Sequence, residues 1–168
     1  QTECDAVLVT NLKNIYYLTG FSGTEATVFI SKKRRIFLTD SRYTLIAKGV
    51  VEGFDIVETR DAVGEIAKII ADDKLEKIGF DDEISYAYFK MLESVFAGHE
   101  LVPMTGFIEN LRMIKDEQEI ATIRRACQIS DQAFLDVLDF IKPGETTELA
   151  VMNFLDARMR QLGASGAS

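Results

Sequence analysis

The stretch NLKNIYYLTGFSGTEATVFISKKRRIFLTDSRY, Asn11 to Tyr43, decides the fold. Its aromatic, apolar run Ile15, Tyr16, Tyr17, Leu18 meets two glycines around Phe21. Gly20 and Gly23 can take conformations closed to other residues, so the chain is expected to turn sharply there and hold Phe21 on the turn. Two runs rich in β-branched and aromatic residues follow, Ala26 to Ser31 and Arg35 to Thr39, separated by Lys32, Lys33 and Arg34. They read as a β-hairpin with a basic, solvated tip that also discourages edge pairing. Asp40 or Ser41 can cap a following helix over 42 to 49, which clusters Asp40, Arg42 and Tyr43 at a strand-to-helix junction.

Outward from this stretch, strand and helix signals alternate. Asp5 to Thr10 is a strand, and so are Phe54 to Glu58, Lys77 to Phe80 and Glu100 to Met104. Between them Val63, Ile66, Ile69 and Ile70 mark an amphipathic helix over 62 to 73, and Phe89, Leu92 and Phe96 mark another over 85 to 96. This alternation implies an α/β domain, a mixed β-sheet flanked by helices, over residues 1 to 105.

From residue 106 to 168 the strand signals stop. Asp116 and Glu119 form a capping-box start for a helix whose apolar face is Ile120, Ile123, Cys127, Phe134, Val137, Leu138 and Ile141. Pro143 and Gly144 end it, Thr146 or Thr147 caps the next helix, and Leu149, Met152, Leu155, Met159 and Leu162 form that helix's stripe before Gly163. A helical hairpin is the expected result. Its Phe134, Leu138, Leu155 and Met159 would offer an apolar patch that invites self-association if nothing covers it.

Composition limits the chemistry. The 168 residues are 47% hydrophobic and 27% charged, with a formal charge of −8, an ordinary soluble globular balance. Both halves are acidic, which disfavours nucleic-acid binding. No apolar run reaches the ~18 residues of a membrane span. The chain opens at Gln1 without a recognisable signal peptide, so an upstream piece is possible. Cys4 and Cys127 are too few and too far apart for a disulfide framework or zinc ribbon, and both read as small core residues in a reducing cytoplasm.

His99 is the only histidine and reads as a satisfied or surface group. Asp81, Asp82 and Glu83 read as a solvated acidic loop, and Arg124 and Arg125 as the wet face of their helix. No Gly-x-Ser-x-Gly elbow, Walker loop or HExxH helix is present, and no spacing favours a Ser, His, Asp triad or a carboxylate-pair nuclease. A catalytic or metal-ligating set is therefore not expected in this chain, and it should be inactive alone.

The segments NIYYLTGFSG and LTDSRY resemble the amino-terminal domain of the creatinase, aminopeptidase P and prolidase family, the pita-bread metallopeptidases. LRMIKDEQEIATIRRACQISDQAF (Leu111 to Phe134) and IKPGETTELAV (Ile141 to Val151) are similar to the opening helices of that family's catalytic domain. The resemblance implies a parent metalloexopeptidase, an Xaa-Pro dipeptidase or aminopeptidase with two divalent metals, manganese or cobalt, held beyond Ser168. An Xaa-Pro bond is a tertiary amide without an N–H, so such substrates need a dedicated enzyme. It also implies a homodimer in which the amino-terminal domain shapes access to the active site, with proline-containing peptides as substrates. Phe21, Asp40, Arg42 and Tyr43 are the positions it places near substrate or the subunit contact. On local grounds Asp40 serves equally as a helix cap, Arg42 as a surface ion-pair partner, and Phe21, Tyr16 and Tyr17 as core. Two further readings stay open on the same scaffold: a binding module without peptidase activity, and a creatinase-like amidinohydrolase.

Overall fold

In the computed structural model, which describes residues 4–166, the expected hairpin is present as β2 (Thr27–Ser31) and β3 (Arg35–Thr39). Its tip is not simply solvated: Arg34 and Lys33 pair with Asp73 at 2.9 and 3.5 Å, tying the turn to the end of a helix. Around the hairpin lie β1 (Ala6–Val9), β4 (Asp55–Glu58), β5 (Lys77–Phe80) and β6 (Glu100–Pro103), in the sheet order β4-β3-β2-β1-β5-β6. Only β2 runs against the others, so β1, β3, β4, β5 and β6 all present their carboxyl ends at one edge. The expected mixed sheet is thus observed.

Period-2 alternation sends neighbouring residues of each strand into separate cores. Leu8, Phe29, Ile36, Leu38, Ile78 and Phe80 face α3 (Ala62–Asp73) and α4 (Tyr86–Val95), where Ile66, Ile70, Leu92 and Phe96 complete one cluster. Val9, Val28 and Phe37 face the other way, toward α1 (Leu12–Thr19), α2 (Thr44–Val50) and α5 (Phe107–Met113), and meet Ile15, Phe21, Ala47 and Ile108. The aromatic run after Asn11 is therefore a helix, α1, capped by the Asn11 side chain and closed by Gly20 in the left-handed region at φ 73°.

Two carboxylates clamp the parallel seam between β1 and β5 from opposite ends. Asp5 accepts from the backbone N–H groups of Glu76 and Lys77, both at 2.9 Å. Asp81 accepts from those of Thr10 and Asn11, the latter at 2.8 Å. Asp81 is thus an anchor rather than part of a solvated loop, and Glu83 accepts from Asn11 Nδ2 at 2.9 Å. The backbone hydrogen bonds hold the Asp5 carboxyl below the usual carboxylate range.

The chain divides into two compact units at 113/114, eight residues beyond the expected boundary at 105/106. Ile108 explains the difference, since it is buried in the sheet domain's second core and makes α5 part of that domain. Asn14 adds a polar tie: fully buried, it donates to Glu109 at 2.6 Å and accepts from Arg112 at 2.9 Å.

The second unit holds α6 (Glu117–Phe140) and α7 (Glu148–Gln161). The capping box of Asp116 and Glu119 is formed, and Thr147 caps α7. The expected apolar face of α6 requires correction. Ile129, Ala133 and Val137 are its buried residues, whereas Cys127, Ile120, Ile123, Phe134, Leu138 and Ile141 are exposed. The reason is geometric: a second helix covers only a narrow seam at spacings of four, and residues about a quarter-turn or more away stay outside it. Phe140 and Phe154 stack at 4.4 Å, Asp136 pairs with Arg158 at 2.5 Å, and Arg125 donates to the Leu162 carbonyl at 3.0 Å. Arg125 is exposed yet used, as a tie between the helix ends.

Candidate functional site

The carboxyl edge of the sheet gathers Thr10 and Asn11 after β1, Asp40 after β3, Thr59 and Arg60 after β4, Asp81 after β5, and Glu25 just ahead of β2. The helices that follow these strands leave toward different faces. After β1 and β3 the chain enters α1 and α2 on one side, and after β4 and β5 it enters α3 and α4 on the other. Where neighbouring connections diverge in this way a crevice opens beyond the strand ends. It happens twice here. A cleft of about 560 Å³ lies between the ends of β1 and β5, among residues that include Leu12, Ser85, Tyr88 and Met91. A second, of about 420 Å³, lies at the ends of β3 and β4, bordered by Thr39, Asp40, Arg42 and Thr59. Glu25, Thr27, Arg60 and Ala62 line both.

Asp40, Arg42 and Tyr43 are brought together at this edge. Arg42 Nε and Nη2 donate to Asp40 Oδ2 at 2.8 and 2.6 Å, while Asp40 Oδ1 accepts from the Arg42 backbone N–H at 2.9 Å. The Arg42 guanidinium carbon lies 5.4 Å from the Tyr43 ring centroid. Hydrogen bonding to Arg42 lowers the Asp40 carboxyl, and the same contact raises the Arg42 guanidinium. The Tyr43 hydroxyl is 2.8 Å from Thr24 Oγ1, a contact that lowers the phenol from its ordinary value. Asp40 is not the side-chain cap of α2. The helix starts at Thr44 with Tyr43 at its N-cap, and Asp40 instead closes the preceding turn, its carbonyl accepting from the Tyr43 and Thr44 N–H groups.

Phe21 does not face outward. It is 1% exposed, with its ring edge-on to Phe37 at 5.0 Å and to Tyr43 at 5.6 Å. Its part in the site is to back Tyr43. Gly23 makes that contact possible, since a Cβ there would lie 2.2 Å from Phe21 Cζ and 2.9 Å from Tyr43 Cδ1. His99 sits at the opposite edge and donates from Nδ1 to the Leu75 carbonyl at 2.9 Å. Glu25 and Arg60 went unremarked in the sequence because they are thirty-five positions apart and come to line the same clefts only through the sheet order.

A three-layer α/β domain with one reversed strand and an open carboxyl edge is the class that this architecture defines. The Creatinase/Prolidase N-terminal domain matches residues 1–114, and the chain belongs to that family. An uncharacterized peptidase of Bacillus subtilis, YqhT, is 36% identical over 170 residues, covering 100% of this chain and 48% of the relative. Among solved structures, an Xaa-Pro dipeptidase from Bacillus anthracis superposes with TM-score 0.89 at 36% identity, over 97% of this chain and 46% of that one. The aminopeptidase P from Streptococcus thermophilus is 58% identical, with TM-score 0.64, over 66% of this chain and 86% of that chain. The chain thus spans about half the length of the B. subtilis and B. anthracis proteins.

Proposed function

We propose that this chain is the amino-terminal, non-catalytic portion of a metal-dependent Xaa-Pro exopeptidase, a dipeptidase or an aminopeptidase. It shapes access of short proline-containing peptides to the active site and takes part in the contact between the subunits of a cytoplasmic homodimer. What carries this reading is the likeness of nearly the entire chain, both units, to less than half of an Xaa-Pro dipeptidase. The exposed Arg42, fixed by Asp40 and Tyr43, is the group at the sheet edge best placed to meet a substrate or a neighbouring subunit.

Two divalent ions, of manganese or cobalt type, would supply water activation in such an enzyme. Among the described residues no group of three or more His, Cys, Asp or Glu is arranged to hold a metal ion, so these residues do not fit that role. The chain's own contribution is binding and exclusion. The test compares manganese- or cobalt-stimulated hydrolysis of Xaa-Pro dipeptides and longer Xaa-Pro peptides by this chain and by a protein of its relatives' full length that contains it. Activity of the longer protein alone is expected, and the length preference separates dipeptidase from aminopeptidase. Hydrolysis by the 168-residue chain, or silence from both, would overturn the proposal.

A further inference from the structure

Helix α5 is docked with little apolar contact and much polar contact. Only Ile108 of its residues is buried, while Phe107, Leu111 and Met113 are exposed, and Ile114 just beyond them is 83% exposed. With seven residues it falls well short of the ~12–15 at which a helix begins to persist alone in water, so it is a helix only while docked. Asn14 does much of the docking. Its side chain is fully buried, yet every partner it has is charged: Nδ2 donates to Glu109 at 2.6 Å and, more loosely, to Asp81 at 3.4 Å, and Oδ1 accepts from Arg112 Nη1 at 2.9 Å. Glu109 and Arg112 lie one turn apart on α5 and are only half-buried, so water can reach both if the helix lifts. Gly106 stands immediately before the helix at φ 66°, a conformation that leaves the chain free to swing there.

We propose that α5 is a releasable strap, with Gly106 as its pivot and Asn14 as its lock, which lifts as a unit while the sheet and the helices α1 and α3 stay folded. Lifting it uncovers one isoleucine, and the charged groups it takes from Asn14 gain water in exchange, so the net loss is small beside that of opening a strand. Partial lifting is disfavoured, because a buried amide that has lost one charged partner stays unsatisfied until water enters. The strap is therefore either seated or off. Asp81 keeps the event local: its other carboxylate oxygen holds the Thr10 and Asn11 N–H groups and does not depend on α5. Lifting bares the second core, to which Val9, Ile15 and Phe21 belong, and gives the joint at 113/114 a further length of loose chain. None of this rests on the peptidase reading.

The test is native-state hydrogen exchange, followed by NMR on the isotopically labelled 168-residue chain. The amides of Asn110, Leu111, Arg112 and Met113 are expected to share one protection factor, about a hundredfold or more below that of the hydrogen-bonded amides in β1, β2 and β3. Glu109→Ala is expected to lower the α5 protection about tenfold or more, the scale of one lost hydrogen bond to a charged group, and Asn14→Ala at least as much. Ile66→Ala, in the core on the other face of the sheet, is expected to lower the protection of the strands and leave that of α5 unchanged, a pattern that a helix tied to global unfolding does not produce. Equal losses in α5 and the strands with Ile66→Ala would mean that α5 opens only with the whole domain. Rates that climb steadily toward Met113 and ignore Glu109→Ala would mean simple fraying. Either result overturns the proposal and leaves the hydrolysis experiment untouched.

Discussion

The sheet domain removes Leu8, Ile15, Phe29, Phe37, Ile66 and Leu92 completely from solvent, whereas the helical hairpin buries only Ile129, Ala133 and Val137 and leaves Phe134 60% exposed. Both regions are regular, but for different reasons. In the sheet domain, burial on two faces holds the elements. In the hairpin, local signals hold them: a capping box at Asp116, a threonine cap at Thr147 and one narrow seam. Helices of this length gain most of their stability from tertiary packing rather than from propensity. A region rich in caps and poor in core is therefore well specified in outline and weakly held.

The sharpest way to break this contrast is a pair of apolar deletions. Ile66→Ala in the sheet domain should cost about 2–5 kcal/mol, and Leu135→Ala on the exposed side of α6 less than about 0.5 kcal/mol. Denaturant unfolding of both variants checks this, and equal costs would mean that the hairpin has a core of its own. A smaller effect should come from Gly23→Ala. The added methyl collides with Phe21 and Tyr43, and forcing a well-packed site apart costs about 1–3 kcal/mol. The Tyr43 ring resonances should move with it, while those of the hairpin stay fixed.

The smallest effect is that of pH. Hydrogen bonds lower the carboxyls of Asp5, Asp40 and Asp73 in the sheet domain, from the Lys77 backbone, Arg42 and Arg34 respectively, and that of Asp136 in the hairpin, from Arg158. A folded-state value below the unfolded one means stability that is present above about pH 4 and lost as pH falls through the folded value. The melting temperature should therefore be level from neutral pH down to about 5 and decline below about 4, less steeply in high salt. Asp136→Asn should remove part of the decline in helix signal and leave the tertiary signal of the sheet domain unchanged. A decline starting near neutral pH would contradict this assignment.

Much of this was legible in advance. Both edges of α3, the whole of β5 and the hairpin strand Arg35–Thr39 follow from periodicity, because burial on one face writes itself into spacing. The helix α1 was harder to see. IYYL reads as a generic apolar run, although Asn11 and Gly20 stand at its ends as cap and terminator. Asp81 looked like part of an acidic loop because the N–H groups it binds are seventy residues earlier. Cys127 and Ile129 lie more than half a turn apart on α6, and spacing alone does not say which side is exposed when both faces of the helix carry apolar residues. Glu25 and Arg60 carry no local signal at all; that both line the same two clefts is a product of strand order.

The clamped seam between β1 and β5 also has a kinetic consequence. β1, β2 and β3 join through nearby partners, and β4 follows β3 across one short helix, so four strands can assemble from local contacts. Pairing Ala6 with Ile78 instead closes a loop of about seventy residues, whose entropy must be overcome before the contacts repay it. The Asp5 and Asp81 clasps form only when that loop has closed. They are expected to act as late-forming latches, whose removal speeds unfolding far more than it slows folding.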